Sequence, residues 1–319
     1  MLEWASLRGR PDLREASGHS SHGGTSGPVS GRKSGISLAL GGGAARGWAH
    51  IGVLRALDEA DIQIDMIAGT SIGALVGACY LAGKLDDLEE FARGLTKRRI
   101  FGLLDFKFAG SGLLSGMRLD ARMQKHMAGL TFADLPKPFV CVASEIRTGH
   151  EIWLSSGSLV QAIRASYALP GVFEPVACNG RVLVDGALVN PVPVSVCRAY
   201  EQHLVVAVNL HYDLYGRAAV IKHSAGELTV EREEPSNLGG QTKESRLGIT
   251  GVMVEAFNII QDRISRARLA GDPPDLSLQP KLGHVGLSEF HRAAEAIDVG
   301  YETTVERLAE LRRLQVVLA

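Results

Sequence analysis

The chain has 319 residues, 45% hydrophobic and 22% charged, with a formal net charge of −1 at pH 7. That length supports one large core with appendages, and the balanced charge excludes the basic footprint of a nucleic-acid-binding domain. The four cysteines, Cys79, Cys141, Cys178 and Cys197, have neither close paired spacing nor a matching histidine pattern, which excludes a zinc motif and fits a reduced, cytoplasmic setting.

Residues 1–34 mix charges with Gly, Ser and Pro and contain no apolar core like that of a secretory signal, so an N-terminal disordered extension is expected, followed by one domain over 35–319. Ile36-Ser37-Leu38-Ala39-Leu40 predicts a strand. It runs into Gly41-Gly42-Gly43-Ala44-Ala45-Arg46-Gly47 and then a helical pattern from Trp48 to Ala60. Main-chain N–H groups bare of side chains, at the positive end of a helix, can approach a developing alkoxide closely, which makes this block a candidate oxyanion hole. The rival is a dinucleotide-binding loop. Gly41 and Gly43 fit G-x-G-x-x-G, but the third position is Arg46 and the next glycine comes one residue late.

A second extended stretch, Asp65-Met66-Ile67-Ala68, leads to Gly69-Thr70-Ser71-Ile72-Gly73, the only G-x-S-x-G in the chain. That is the layout of a nucleophile elbow, in which Gly69 and Gly73 leave room for a serine on a tight strand-to-helix turn. The rival reading is an ordinary Gly-rich loop, since the chain holds 37 glycines. Met66 to Gly83 carries no charge and approaches the ~20 residues of a spanning helix, but the elbow interrupts it and leaves Ile72 to Ala82 as a short buried helix with its N-terminus toward the site.

Farther along, Phe139 to Ala143 and Leu204 to Val208 predict buried strands, Gly149 to Gly157 a small hairpin, and Leu159 to Ser166 a helix leading into a Pro170-Gly171 turn. Val182-Leu183-Val184-Asp185-Gly186-Ala187, after the turn Asn179-Gly180, ends an apolar run on an aspartate. Most D-G pairs are plain turns, but a carboxylate at a strand end can serve as the base that a serine nucleophile needs. Strands alternating with helices predict a three-layer α/β/α sandwich on a mostly parallel sheet. Residues 212–248 turn polar without periodicity and are expected as a flexible insertion; a helix near Ser288 to Leu314 forms the helical C-terminal part with a solvated charged face.

Taken together, the glycine block, the elbow followed by Ala74-Leu75-Val76-Gly77-Ala78, the stretch Ala165-Ser166-Tyr167-Ala168-Leu169-Pro170-Gly171-Val172-Phe173-Glu174-Pro175-Val176 and the Asp185-Gly186 pair resemble the patatin-like phospholipase family, in particular its small bacterial members, over roughly Gly35 to Leu210. The resemblance implies a Ser-Asp dyad with Ser71 as nucleophile and Asp185 as base, an oxyanion hole in the glycine block, no metal and no cofactor, and a lipid acyl ester as substrate. Gly42, Gly43, Ala44 and Ile72 are the expected oxyanion-hole residues, with Gly42, Gly43 and Ile72 as the principal donors. Ala44 stands where the family usually has glycine, and would be strained if that position needed a positive φ. Arg46 is a candidate charge stabiliser for an oxyanion or lipid phosphate, or else an ion-pairing pin for the loop. His50 is expected to be packed and hydrogen-bonded rather than a base. Pro170, Phe173 and Pro175 are expected to shape the wall near the site.

Two rivals stay open at this stage. A Ser-His-acid triad would recruit one of His203, His211, His223, His284 or His291, all of which follow Asp185. A regulatory adaptor could use the fold without turnover. Peripheral contact with a bilayer is compatible with a lipid substrate, although no strongly basic amphipathic helix marks it in the sequence.

Overall fold

The computed structural model describes residues 35–98, 123, 126–213 and 249–318. The expected disordered extension 1–34 and nearly all of the expected insertion, 214–248, lie outside the described residues. In chain order the elements are β1 (Ile36–Leu40), α1 (Ala49–Glu59), β2 (Ile64–Thr70), α2 (Ile72–Leu81), α3 (Leu85–Arg93), β3 (Phe139–Glu145), β4 (Glu151–Leu154), α4 (Leu159–Tyr167), β5 (Val176–Cys178), β6 (Arg181–Asp185), α5 (Val194–Ala199), β7 (Val205–Val208), α6 (Ile249–Gly271), β8 (Leu276–Leu278) and α7 (Ala293–Val317).

The strands form one mixed sheet with helices on both faces, an α/β sandwich. β3, β2, β1, β7 and β8 run parallel in that order, while β4, β5 and β6 are antiparallel additions at the β3 end. The expected parallel sheet is thus the five strands from β3 out to the β8 edge. Period-2 alternation sorts the strand side chains between two cores. Ile36, Leu38 and Leu40 pack with Ile67 against helices that include α1, α2 and α7, whereas Ala39, Met66, Ala68, Val140 and Val142 face α5 on the other side. Each large, fully buried side chain contributes about 1.5–3 kcal/mol of transfer free energy, so the two cores hold the central strands firmly. The hairpin expected within 149–157 forms differently: β4 folds back on β3, with Cys141 opposite Leu154 and Ser144 opposite Glu151. A second hairpin joins β5 to β6 through Asn179 and Gly180, both at positive φ (48° and 77°), as a tight twisted turn requires.

The arrangement at β3 positions the site. β2 runs alongside β3 as far as Thr70 opposite Val142, and β6, running the other way, ends with Asp185 opposite Ala143. Because β4 occupies the other edge over the same residues, β2 and β6 share one edge of β3 and meet end to end there. Ser71 follows the last residue of β2 and Asp185 is the last residue of β6, so consecutive positions on one strand bring together two groups far apart in the chain. Gly186 continues past the junction; a Cβ there would lie 2.2 Å from the Val142 carbonyl oxygen.

Candidate active site

Ser71 sits between β2 and α2 with φ 57° and ψ −122°. A non-glycine residue in that region stores strain of order 1–3 kcal/mol and is kept there only by its surroundings. Three contacts supply the constraint. The Ser71 N–H donates to Ser166 Oγ at 2.9 Å, Ser166 Oγ–H donates to the Val142 carbonyl at 2.6 Å, and Thr70 Oγ1–H donates to the Asn190 carbonyl at 2.9 Å. The turn also packs tightly on β1, for a Cβ at Gly73 would lie 2.2 Å from the Leu40 carbonyl oxygen. Gly69 is similarly crowded by the backbone of Ala74.

The Ser71 Oγ–H donates to Asp185 Oδ2 at 2.7 Å. The other carboxylate oxygen, Oδ1, accepts from the Ala187 N–H at 2.8 Å, and the Asp185 main chain is held by Ser144 Oγ–H on its carbonyl and by its own N–H on the Ala168 carbonyl. The carboxylate's direction is thus fixed by two hydrogen bonds and its backbone by two more. Burial raises the Asp185 pKa from 3.8 to about 6, against the opposing effect of the two hydrogen bonds from Ala187 and Ser71. The carboxylate is therefore ionised at neutral pH yet basic enough to take a proton.

The glycine block lies beside this pair. Gly43, Ala44, Ser71, Ile72 and Asp185 all border one cavity of about 160 Å³. Of the expected donors, Gly42 requires correction, because its N–H is committed to the Pro191 carbonyl at 2.9 Å and it is not part of the cavity wall. Gly43, Ala44 and Ile72 are, and their N–H groups have no acceptor in the hydrogen-bond network of the described residues. Ile72 opens α2, so its N–H lies at the positive end of a helix. Ala44 has φ 48°, the left-handed conformation in which alanine is strained where glycine would not be.

Arg46 does not border the cavity. Its side chain is buried and its Nε–H donates to the Val285 carbonyl at 2.7 Å, tying the glycine block to the segment before α7, so the expected charge stabiliser is placed as a pin. His50 is fully buried, which lowers its pKa to about 4; its neutral ring donates from Nε2 to the Gly41 carbonyl at 2.7 Å. It holds the loop and does not border the cavity.

The other candidate histidines do not line the cavity either. His211 is buried, and desolvation, followed by the charge of Arg46, lowers its pKa to about 4. His284 pairs with Glu295 at 2.7 Å, and none of His203, His211, His284 and His291 borders the cavity. His223 lies outside the described residues.

The remaining cavity wall is almost entirely apolar, comprising Trp48, Leu75, Phe91, Leu95, Tyr167, Leu169, Phe173, Phe257, Leu287 and Phe290, with Gln261 as a polar exception. Phe173 is in that wall as expected, whereas Pro170 and Pro175 stand outside it. Trp48 meets Phe91 and Phe290 edge-on at 6.5 and 6.1 Å, and Tyr167 meets Phe173 at 5.3 Å, which stiffens the wall. The chamber thus sets an almost wholly hydrocarbon wall beside a serine hydroxyl. Among the described residues no group of acidic, cysteine or histidine side chains is suited to hold a metal ion, and no helix is long and apolar enough to cross a membrane.

Sequence reasoning missed Ser166, Ser144 and Pro191, which hold Ser71, Asp185 and Gly42. Ser166 lay within a recognised block, but its contact is made across the fold and leaves no local pattern. It also missed α6, which brings Phe257 and Gln261 to the cavity.

Comparisons with known proteins place the chain in a family. The family profile described as patatin-like phospholipase matches residues 38–198, about half of the chain. An uncharacterized NTE family protein of Mycobacterium bovis is 30% identical over 330 aligned positions, covering 86% of this chain and 91% of that protein. A lysophospholipase of Pyricularia oryzae is 29% identical over 286 positions, covering 87% of this chain but 18% of that much longer protein. In structure, VipD from Legionella pneumophila matches with a TM-score of 0.53 at 15% identity, over 88% of this chain and 67% of that one, a likeness of fold alone. With the profile spanning β1 through α5 and so both Ser71 and Asp185, the chain belongs to the patatin-like phospholipase family and is, by that membership, a lipid acyl hydrolase.

Proposed function

We propose that the protein hydrolyses a carboxylic ester of a phospholipid or lysophospholipid through a Ser71–Asp185 dyad and an acyl-enzyme, without metal or cofactor. The observation that carries this reading is the 2.7 Å hydrogen bond from Ser71 Oγ to a buried, directionally held Asp185 carboxylate at the end of an apolar chamber.

As Ser71 Oγ attacks the ester carbonyl carbon, its proton passes to Asp185 Oδ2 and negative charge gathers on the former carbonyl oxygen. The N–H groups of Gly43, Ala44 and Ile72 receive that charge; one such donor is worth about 3–4 kcal/mol of transition-state stabilisation. Collapse of the tetrahedral intermediate breaks the bond to the leaving alcohol, which takes the proton back from Asp185 and departs. Water then adds to the acyl-serine, giving its proton to Asp185. The second collapse releases the fatty acid, and Ser71 recovers a proton. The hydrocarbon wall around Leu75, Phe91 and Phe290 holds the acyl chain while excluding water from the dyad.

Two features support a dyad over a triad: Ser71 Oγ is bonded directly to the carboxylate, and none of the described histidines nominated as bases lines the cavity. The test is mass spectrometry of products released from a mixed lipid extract by wild type and by Ser71→Ala. Free fatty acid with the matching deacylated lipid is expected from wild type alone; identical product profiles would refute the reading. Alanine at His203, His211, His223, His284 or His291 is expected to retain turnover, and a loss as deep as that of Ser71→Ala would replace the dyad with a triad.

A further inference from the structure

The helix Ile249–Gly271 is turned inside out for a surface helix. Asn258, Gln261, Asp262 and Ser265 are buried; Asn258 Oδ1 and Ser265 Oγ find no protein partner among the described residues, while Gln261 faces the buried His211. On the other side Val252, Met253, Ile259 and Ile260 are between 45% and 57% exposed. Spacings of three and four place these aliphatics on one face together with Ala256 and, one turn on, Arg263, both exposed. Glu255 is the acidic residue beside them. A helix that hid its apolar stripe would have buried Ile259 and Ile260 and left Gln261 and Asp262 in water.

The same helix reaches the catalytic chamber, because Phe257 and Gln261 form part of its wall. Met253 lies against Gly171, two residues before Phe173 in that wall. The exposed aliphatic face is therefore continuous with the structure that admits the acyl chain. Four side chains about half exposed offer roughly 300–400 Å² of apolar surface, well short of the ~800 Å² per partner of a stable protein interface. A second copy seated there would also cover the side from which substrate arrives. An assembled lipid surface fits both facts: it takes a shallow aliphatic patch with a flanking arginine, and it presents the ester next to the chamber.

We infer that the outward face of helix 249–271 docks the enzyme onto a lipid surface, with Val252, Met253, Ile259 and Ile260 seated among the acyl chains and Arg263 at the headgroup level. This rests on the proposed lipid-ester substrate for its purpose, but binding is measured without turnover. The full-length protein is floated with phosphatidylcholine vesicles and with vesicles that also contain phosphatidylglycerol, alongside an Ile259→Ser/Ile260→Ser variant and an Arg263→Glu variant. Thermal melts check folding, and hydrolysis of a short, water-soluble ester reports the dyad.

Wild type is expected to float with both vesicles, and the double serine variant to bind about tenfold or more weakly with an unchanged melt and unchanged hydrolysis of the soluble ester. Arg263→Glu is expected to lose affinity chiefly for the anionic vesicles. The inference is overturned if wild type stays with the aqueous phase, if the double variant floats equally well, or if light scattering shows a dimer that the double variant splits. Vesicle binding with no ester hydrolysis by wild type would instead remove the proposed function and leave the docking face standing.

Discussion

Replacing Asp185 by asparagine removes the base while keeping the shape. The amide Oδ1 can still accept from Ala187 N–H, and Nδ2 can donate to Ser71 Oγ, reversing the bond that Ser71 now makes to the carboxylate. Turnover should fall by about a thousandfold or more, since the serine proton has no acceptor of matched basicity. Stability should move the other way. Burial lifts the Asp185 pKa from 3.8 in the unfolded chain to about 6 in the fold. The folded state thus holds this proton more tightly, and the resulting stability, present below pH 4, is lost as pH rises through 6. From 3.8 to about 6, the ionised carboxylate costs about 3 kcal/mol at pH 8, at 1.36 kcal/mol per pH unit. The neutral amide of Asp185→Asn carries no such cost. Calorimetric melts at pH 5 and pH 8, paired with kcat/KM on a soluble ester, read both effects: the variant should be the more stable protein by several degrees at pH 8, with a smaller advantage at pH 5. Full activity would refute the base assignment. A variant less stable than wild type at pH 8 would refute the account of a desolvated, ionised carboxylate.

Three further outcomes follow from the same geometry. In wild type, kcat/KM should rise with pH through about 6 as Asp185 ionises and level off above 7; a profile flat from pH 5 to 8 would contradict the raised pKa. Ser166→Ala leaves the Ser71 N–H and the Val142 carbonyl without their shared hydroxyl, so about 1–3 kcal/mol of stability should be lost in denaturant titrations, and kcat should fall more than KM changes because the strained turn relaxes. Ala44→Gly removes a side chain from a φ of 48° and should raise stability by about 1 kcal/mol, read as a higher melting temperature with activity kept; a lower melting temperature would show that the alanine is not strained.

Much of the site is visible in the sequence because each candidate segment is local: a strand end, a tight turn and small residues that permit close backbone approach. Gly73 beneath Leu40 and Gly186 beside Val142 are needed in place, and their linear motifs say so. What escaped notice depends on partners remote in the chain. Nothing near Gly42 announces that Pro191 will take its N–H, and nothing near Ser71 announces Ser166. Ala44 illustrates the intermediate case, since the substitution was apparent as a departure but the sign of its φ was a property of the fold. The antiparallel strands escaped for a different reason: apolar runs such as Val182 to Val184 specify burial without direction, and it is the reversed direction of β6 that delivers Asp185 to the end of β2. Helix 249–271 has helical spacing, but periodicity marks its two faces without saying which one turns inward.

Ser71 is assigned as an activated nucleophile and Asp185 as the group that activates it. Treatment of wild type with a fluorophosphonate, followed by peptide mass mapping, tests this most directly: a single adduct on Ser71 is expected, labelling at least a hundredfold slower in Asp185→Asn by the ~10²–10⁴ scale of general-base assistance. An unlabelled wild type, as a non-catalytic adaptor would give, or equal labelling of both proteins, would contradict it.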